Sequence, residues 1–424
     1  MRYTPTALLA AIMLAAVACT DQSPTGPALD LKAANAATTT TTPGTPWARV
    51  VEGETGPGSL YALYIPEHWN GEAIYYAHGV RPPVPFAPIS LADQDNFFEV
   101  RDALGALGYA FAYSSFSENG LAIKDGAQRT HQLRGLLSAE LQQEPTRNYL
   151  AGYSLGAAVA LKLAEQFPQQ YNGVLAMCGL VGGTPLELQY IGDVRALFDY
   201  YYPTVFPESN VISVPTPLTP GQVAARVIPA VSANPLGMFA IASTAQTPLA
   251  YAPIGNPTDN PPSVAFQTML GSLIYALSYQ QLGATDALEH THGHSPYGNR
   301  NTVYTLGTPV IPATALLQTL IGGSNQGVTR YDTPVDAQNY LEQYYVPTGK
   351  LQIPTVSVHN MFDPLVPVFH EAELARIITT AGASSMLLQR AIPNYGHCNF
   401  STPLVVSSFQ TLATWVNTGV KPGA

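Results

Sequence analysis

The segment Gly152-Tyr-Ser-Leu-Gly156 constrains this chain most, because it places Ser154 at the apex of a predicted tight turn. Residues 147–151 before it are typical of a β-strand, and residues 157–165 after it are typical of a helix. The two glycines permit a sharp strand-to-helix turn that holds a serine hydroxyl clear of the sheet. The segment therefore predicts a nucleophilic serine, and the alternative is an ordinary turn serine between two glycines.

Strand-like and helix-like segments alternate on both sides of this turn. Strand patterns occupy 59–65, 72–79, 109–113, 148–152, 171–178, 352–359 and 385–392, and helix patterns occupy 97–107, 126–141, 367–381 and 403–416. Such alternation is typical of an α/β fold, in which a mostly parallel sheet carries helices on both faces.

The alternation stops in the middle of the chain. From about Gly183 to Gly349 the sequence is rich in Pro, Tyr, Thr and Asn, with helix-like patches at 220–233 and 263–282. We therefore predict a large inserted cap at 183–350, which divides the sheet core into a first part at 47–182 and a second part at 351–424.

The N-terminal residues resemble an export signal. Arg2 precedes an apolar segment of about a dozen residues, too short to span a bilayer. We predict a signal peptide at 1–18 and a flexible tether at 19–46, and hence a bacterial extracytoplasmic protein. Ala16-Val-Ala18 before Cys19 fits either a lipobox, which makes Cys19 a lipidated membrane tether, or an ordinary signal peptidase site that gives a secreted protein.

Composition and charge exclude two classes of function. A hydrophobic fraction of 46% is sufficient for a large core and excludes a disordered chain. The formal net charge is −10, so there is no basic surface for phosphates and nucleic-acid binding is excluded. Only 11% of the residues are charged, which is typical of a secreted, loop-rich enzyme.

The chain has three cysteines, Cys19, Cys178 and Cys398. A lipidated Cys19 leaves two thiols for the folded part, and two thiols in an oxidising compartment predict one disulfide. The alternative is a pair of buried free cysteines that pack as small apolar residues.

A serine hydroxyl needs a base within hydrogen-bond reach and a carboxylate that orients this base. Asp363 follows the strand pattern at 352–359, and His397 follows the last strand pattern. We predict Asp363 as the carboxylate, with Asp286 or Asp332 from the predicted cap as alternatives. His397 is the predicted base, and the alternative is a loop histidine that binds a backbone carbonyl.

Outside the predicted cap, residues 59–416 resemble the α/β-hydrolase superfamily. Four motifs carry the resemblance: His78-Gly79, Gly152-Tyr-Ser154-Leu-Gly156, Asp363-Pro-Leu-Val-Pro and Gly396-His397. The resemblance implies Ser154 as the nucleophile, His397 as the general base and acid, and Asp363 as the residue that orients His397.

The same resemblance implies an oxyanion hole. Its donors would be the backbone N–H groups of Leu155, which follows the nucleophile, and of Val80, which follows His78-Gly79. The side chain of His78 is then expected to brace this loop. The mechanism needs no cofactor and no metal.

A finer resemblance connects residues 113–126 and Met177-Cys-Gly to secreted bacterial esterases and related peptidases. Cys398 beside His397 is similar to tannase and feruloyl esterases, in which a disulfide joins the neighbours of the nucleophile and the histidine. Tyr153 precedes Ser154 here, so that match fails. We expect Cys178 to pair with Cys398 and brace the histidine loop.

Two segments of the predicted cap have alternative interpretations. His290-Thr-His-Gly-His294 has the residue type and alternation of a zinc or copper site, but a solvated loop is the simpler interpretation. The tyrosines of 199–203 either line an acyl or aromatic pocket or pack within the core.

The sequence predicts a serine hydrolase that cleaves a small-molecule or oligomeric carboxylic ester through an acyl-enzyme. One alternative is a serine peptidase that releases amino-terminal residues, which needs an acidic patch for a free amine, for example Glu187, Asp193 and Asp199. A second alternative is a binding lipoprotein that has kept the fold and lost catalysis.

Overall fold

The computed structural model describes residues 38–40, 44–56, 58–83, 86–91, 97–251, 262–307 and 314–423. The predicted signal peptide at 1–18, Cys19 and the tether residues 19–37 and 41–43 lie outside these ranges.

The described residues form one nine-stranded sheet in the spatial order β1-β2-β3-β5-β4-β6-β7-β8-β9. The first three strands and β5 pair in antiparallel fashion, and every pair from β5 through β9 is parallel. The strands are β1 (Thr38–Thr40), β2 (Trp47–Glu54), β3 (Leu60–Pro66), β4 (Glu72–Ala77), β5 (Ala110–Ser114), β6 (Arg147–Tyr153), β7 (Gly173–Met177), β8 (Thr355–Phe362) and β9 (Leu387–Tyr395).

Helices follow most of the parallel strands. They are α1 (Phe97–Ala106), α2 (Ile123–Leu141), α3 (Leu155–Gln166), α4 (Thr184–Tyr201), α5 (Pro220–Ala233), α6 (Pro235–Ala242), α7 (Pro262–His290), α8 (Ala315–Gly327), α9 (Val335–Tyr345), α10 (Phe369–Thr380) and α11 (Thr402–Thr418). A 3₁₀ turn, Ser384–Met386, precedes β9.

The sheet is covered on both faces, because the side chains of its central strands alternate between two apolar clusters. Tyr75 of β4 packs in the cluster that includes α2, α3 and α10. Its neighbours Ile74 and Tyr76 pack in the cluster that includes α1 and α11. Every residue of β4 is buried, as expected for a parallel strand between two helical layers. The predicted fold class is confirmed.

Between β7 and β8 lie the helices α4 to α9, which we call the helical insertion (residues 184–345). These helices have an apolar cluster of their own, which includes Val194, Phe198, Val223 and Leu273. The helical insertion lies where the sequence predicts a cap, and α5 has the predicted limits. The first turn of α5 is fixed by a capping box. The side chain of Thr219 accepts the backbone N–H of Gln222, and the side chain of Gln222 accepts that of Thr219.

Two sequence expectations about local structure were wrong. Thr38–Thr40 lies within the predicted tether, yet it pairs with β2 as an edge strand, because β-branched threonines suit an extended backbone. The predicted helix at 263–282 continues to His290, so His290 belongs to α7, whereas His292 and His294 lie in the exposed turn that follows, as the solvated-loop interpretation expects.

Among the described helices, none is by itself long and apolar enough to cross a membrane. The pair α5 and α6 has the length and composition of such a span only when the two are taken together, and they are bent by 103°.

Candidate active site

Ser154 lies on a strained turn between β6 and α3. Its backbone has φ 53° and ψ −121°, a conformation that non-glycine residues rarely adopt. A Cβ atom on Gly156 would lie 2.0 Å from the carbonyl oxygen of Ala77, and one on Gly152 would lie 2.1 Å from the carbonyl oxygen of Gly156. Both glycines are therefore required by close backbone approach.

The structure brings the three predicted catalytic side chains together at the carboxyl ends of the strands. The Oγ of Ser154 lies 2.9 Å from Nε2 of His397, and Nδ1 of His397 lies 2.8 Å from Oδ2 of Asp363. The other oxygen of Asp363 accepts hydrogen bonds from the backbone N–H groups of Leu365 and Val366, both at 2.9 Å. These bonds orient the buried carboxylate so that one oxygen faces His397.

The two alternative carboxylates lie elsewhere. Asp286 accepts a hydrogen bond from the backbone N–H of Leu121 at 2.7 Å. Asp332 forms an exposed ion pair with Arg300. Asp363 is thus the carboxylate that contacts His397.

His78 has the bracing position that the resemblance implies. Its ring nitrogens lie 2.6 Å from the carbonyl oxygen of Gly79 and 3.1 Å from that of Ser115, and the ring stacks on Phe116. Burial, with a smaller contribution from Arg81, lowers the pKa of His78 to about 3.

Val80 and Leu155, the two predicted oxyanion donors, line the same cavity as Ser154. They reach this cavity from two elements, since Val80 follows β4 and Leu155 begins α3. Their backbone N–H groups stay the predicted donors.

Cys178 and Cys398 form a disulfide in the structure, with their Cα atoms 5.3 Å apart. Cys178 follows β7 and Cys398 follows His397, so the bridge joins the sheet to the histidine loop. Both cysteines have positive φ values, 46° and 57°. The sulfurs lie near the His397 ring, but a disulfide offers no thiolate to a metal ion.

Ser154 lines a cavity of about 410 Å³ between the sheet core and the helical insertion. Its wall is mostly apolar, and the insertion contributes much of it, including Leu188, Ile191, Ile212 and Leu282. A cavity of this kind accommodates the apolar part of a small substrate.

The three acids proposed for an amine-binding patch, Glu187, Asp193 and Asp199, have different partners and do not face one cavity together. Asp193 accepts hydrogen bonds from the hydroxyls of Tyr297 and Tyr304, and Asp199 pairs with Arg195 at 2.7 Å. Of the three, Glu187 alone lines the cavity. The patch expected for a peptidase is therefore not assembled from these acids.

Glu187 is held by a buried histidine that the sequence analysis missed. His370 accepts the backbone N–H of Gly182 at Nδ1, so its proton is on Nε2, which donates to Oε2 of Glu187 at 3.0 Å. Burial, and then the negative charge of Asp363, raise the pKa of Glu187 well above its usual value. Burial, and then His359, lower the pKa of His370.

A second buried histidine lies beneath the site. Nε2 of His359 lies 2.7 Å from the carbonyl oxygen of Val366, whose N–H binds Asp363. Burial lowers the pKa of His359, but Glu371 and Asp363 outweigh this effect and raise it. His359 ends the predicted strand at 352–359, yet nothing local in the sequence indicates its partners.

The two ambiguous segments have structural roles. His290 contacts Glu118 and Asp286, each at 3.6 Å, and so joins α7 to the loop after β5. The tyrosines near 200 pack within the helical insertion: the hydroxyl of Tyr201 donates to the carbonyl oxygen of Leu320, and that of Tyr202 to Asn234. None of these tyrosines lines the cavity, so the pocket interpretation was wrong.

The model of the Esterase family matches residues 123–220, which contain Ser154 and the whole of helix α4 in the helical insertion. No curated protein sequence matches the chain. The sheet topology and this match agree with the predicted resemblance: the chain has the α/β-hydrolase fold, and its residues 123–220 are similar to the Esterase family. The secreted branch of that superfamily stays a prediction.

Several solved structures are similar to this chain. Feruloyl esterase B from Aspergillus oryzae is 14% identical, with a TM-score of 0.42 over 88% of this chain and 81% of that one. The rice cell wall degrading esterase LipA from Xanthomonas oryzae is 14% identical, with a TM-score of 0.36 over 87% of this chain and 88% of that one. An esterase from Pyrobaculum calidifontis is 13% identical, with a TM-score of 0.40 over 89% and 87%. Likenesses this weak assign no substrate to the chain.

Proposed function

We propose that the protein is an exported serine esterase that cleaves carboxylic esters through an acyl-enzyme. The observation that supports this most is the hydrogen-bonded series from Ser154 through His397 to Asp363, at 2.9 and 2.8 Å, beside an apolar cavity. A serine that only ended a turn would not need a base and a buried carboxylate at these distances.

In the proposed mechanism, His397 takes the proton of Ser154 while Oγ attacks the ester carbonyl carbon. The backbone N–H groups of Leu155 and Val80 stabilise the oxyanion that forms, and loss of one such donor costs about 3 kcal/mol. His397 then gives its proton to the departing alkoxide. Water then attacks the carbonyl carbon of the acyl-enzyme while His397 takes its proton. His397 returns this proton to Oγ of Ser154 as the carboxylic acid leaves.

The first test is hydrolysis of p-nitrophenyl esters of increasing acyl length by the mature domain. We expect turnover by the wild type and a decrease of at least about 10³-fold in kcat for Ser154→Ala. Thermal unfolding of both proteins controls for folding. Equal activity of the two would contradict the serine mechanism.

Well-folded protein that cleaves none of these esters would favour the alternatives. Aminoacyl p-nitroanilides then test the peptidase interpretation. Lack of turnover on these as well would favour the binding lipoprotein.

We also propose that the N-terminus exports the protein and that Cys19 tethers it to a membrane. Expression of the full chain in a bacterial host, followed by fractionation, tests this proposal. We expect the wild type in the membrane fraction and Cys19→Ala in the soluble extracytoplasmic fraction. Wild-type protein in the soluble extracytoplasmic fraction would favour the secreted alternative, and a cytoplasmic location would contradict export.

A further inference from the structure

Two polar atoms at the cavity wall lack partners. Thr184 and Glu187 line the cavity that contains Ser154 and are 1% and 5% exposed. Within the described part of the chain, neither Oγ1 of Thr184 nor Oε1 of Glu187 has a hydrogen-bond partner. Buried polar atoms are nearly always hydrogen-bonded, so two unpartnered atoms at the wall of one cavity are groups that a bound substrate would satisfy.

The two residues lie on one face of one helix turn. They are three positions apart in the first turn of α4, so their side chains are neighbours. The carboxyl of Glu187 is fixed, because Nε2 of His370 donates to Oε2 at 3.0 Å. This bond leaves Oε1 as the atom that is able to bind a ligand.

Other polar side chains at the cavity wall already have partners. Ser278 donates to the carbonyl oxygen of Ile274, Gln280 to that of Asn210, Asp286 accepts from Leu121, and Tyr297 donates to Asp193. Thr184 and Glu187 therefore differ from these residues.

The electrostatic environment decides which ligand fits. The negative charge of Asp363 acts on Glu187, and His370 carries one ring proton because its Nδ1 accepts the N–H of Gly182, so an anionic ligand would be repelled. Burial raises the pKa of Glu187, and in its protonated form Glu187 would donate from Oε1, because Oε2 accepts from His370. A threonine hydroxyl both donates and accepts. A neutral group that donates one hydrogen bond and accepts another satisfies both residues.

We propose that Thr184 and Glu187 form a hydroxyl-binding subsite, and that the preferred substrate is an ester whose cavity-bound part carries a free hydroxyl group. This inference rests on the proposed esterase function and adds a substrate class to it. A site built to hydrogen-bond a hydroxyl discriminates strongly against the analogue without one, because its own polar groups are then left unpaired.

The test uses matched pairs of esters with and without a hydroxyl group. Hydrolysis of each ester is measured by the protons that the product acid releases. The pairs are ethyl butanoate and ethyl 3-hydroxybutanoate, ethyl hexanoate and ethyl 6-hydroxyhexanoate, and hexyl acetate and 6-hydroxyhexyl acetate. We expect the wild type to prefer the hydroxylated member of at least one pair by about tenfold in kcat/KM.

Three variants then probe the preference. Thr184→Val and Glu187→Met remove the polar atoms at nearly constant volume and should reduce the preference to about one. Glu187→Gln keeps an acceptor for His370 and an N–H donor for the cavity, so it should keep the preference. Thr130→Val is the matched control, since Oγ1 of Thr130 is equally buried and unpartnered but lies on α2 outside the cavity.

Several outcomes would overturn the inference. One is that no pair shows a preference, and another is that Thr184→Val and Glu187→Met lower kcat/KM equally for both members. A third is a preference for ethyl 6-aminohexanoate that Glu187→Gln abolishes, which would make Glu187 a charged amine-binding residue.

Failure of the esterase proposal is distinguishable from failure of the subsite. If no ester is cleaved, calorimetric titration of each pair into the wild type measures the preference without turnover. Tighter binding of a hydroxylated member that Thr184→Val abolishes would support the subsite. Equal affinities within every pair would overturn it.

Discussion

The sheet core and the helical insertion contribute to the site in different ways. In the core, close packing of the backbone fixes the turn that carries Ser154. A Cβ on Gly156, for example, would lie 2.0 Å from the Ala77 carbonyl oxygen. In the insertion, side chains such as Leu188, Ile191 and Glu187 line the cavity. Under the proposed function, the core supplies the catalytic groups, and the insertion supplies much of the wall that contacts the substrate. Variants in the core should therefore alter kcat, and variants at the cavity wall should alter selectivity.

The largest effect is expected for Asp363→Asn in the core. The amide would present an N–H where Nδ1 of His397 now meets Oδ2 at 2.8 Å, so the ring would be held in the wrong tautomer. We expect kcat on p-nitrophenyl butanoate to decrease about 10⁴-fold, with little change in KM. Asp332→Asn is the control, because Asp332 is exposed and paired with Arg300. A loss of less than tenfold would contradict the role of Asp363.

The difference between the two regions also explains which features of the structure could be predicted from the sequence. Around Ser154 the relevant signals are local, because glycines, strand and helix are adjacent in the chain, and the order of Ser154, Asp363 and His397 follows from the topology. The sequence therefore predicted the sheet, the turn and the contacts of these three residues.

In the insertion, contacts join residues far apart in the chain, and local patterns do not specify them. No local pattern indicates that Thr184 lines the cavity or that His370, 183 positions after Glu187, holds the carboxyl of Glu187. It likewise could not indicate that Tyr201 and Tyr202 donate to Leu320 and Asn234, away from the cavity.

The second effect concerns the disulfide, which connects the two parts of the core across the insertion. Cys178 precedes the helical insertion and Cys398 follows it, 220 positions later. Replacing both cysteines with alanine should lower the free energy of unfolding by about 3 kcal/mol, because the unfolded chain gains freedom. It should also lower kcat more than it alters KM, since His397 loses its brace.

Urea unfolding and steady-state kinetics measure both effects of the cysteine replacement. Alkylation of a Cys19→Ala protein without reductant is the control and should leave its mass unchanged, because Cys19 is a third thiol outside the bridge. Two readily alkylated thiols in native protein would exclude the bridge.

A third, smaller effect concerns the contact between the insertion and the core at His290. Burial lowers the pKa of His290, but Glu118 and Asp286 outweigh it and raise the pKa to about 9. Since this value lies above that of the unfolded chain, the stabilisation is complete below about pH 6.5 and is lost as the pH rises through about 9. We expect a loss of about 1 to 2 kcal/mol over that range, because water at the half-exposed Glu118 screens the pair.

Thermal unfolding of His290→Gln at pH 6 and pH 9.5 measures this contribution. The wild type should be the more stable protein at pH 6, and the difference should shrink at pH 9.5. His292→Gln is the control, because His292 is exposed. A difference independent of pH would contradict the ion pair.

The smallest effect tests whether the two regions unfold together. Gly135 in α2 of the core and Gly322 in α8 of the insertion lie within helices, and a Cβ on either would meet no atom within 4 Å. Alanine at either position should therefore stabilise its helix by about 0.5 to 1 kcal/mol. The described chain forms one compact unit, so both variants should raise the midpoint of the same thermal transition. Two transitions in calorimetry, with Gly322→Ala moving one and Gly135→Ala the other, would show that the insertion unfolds independently of the core.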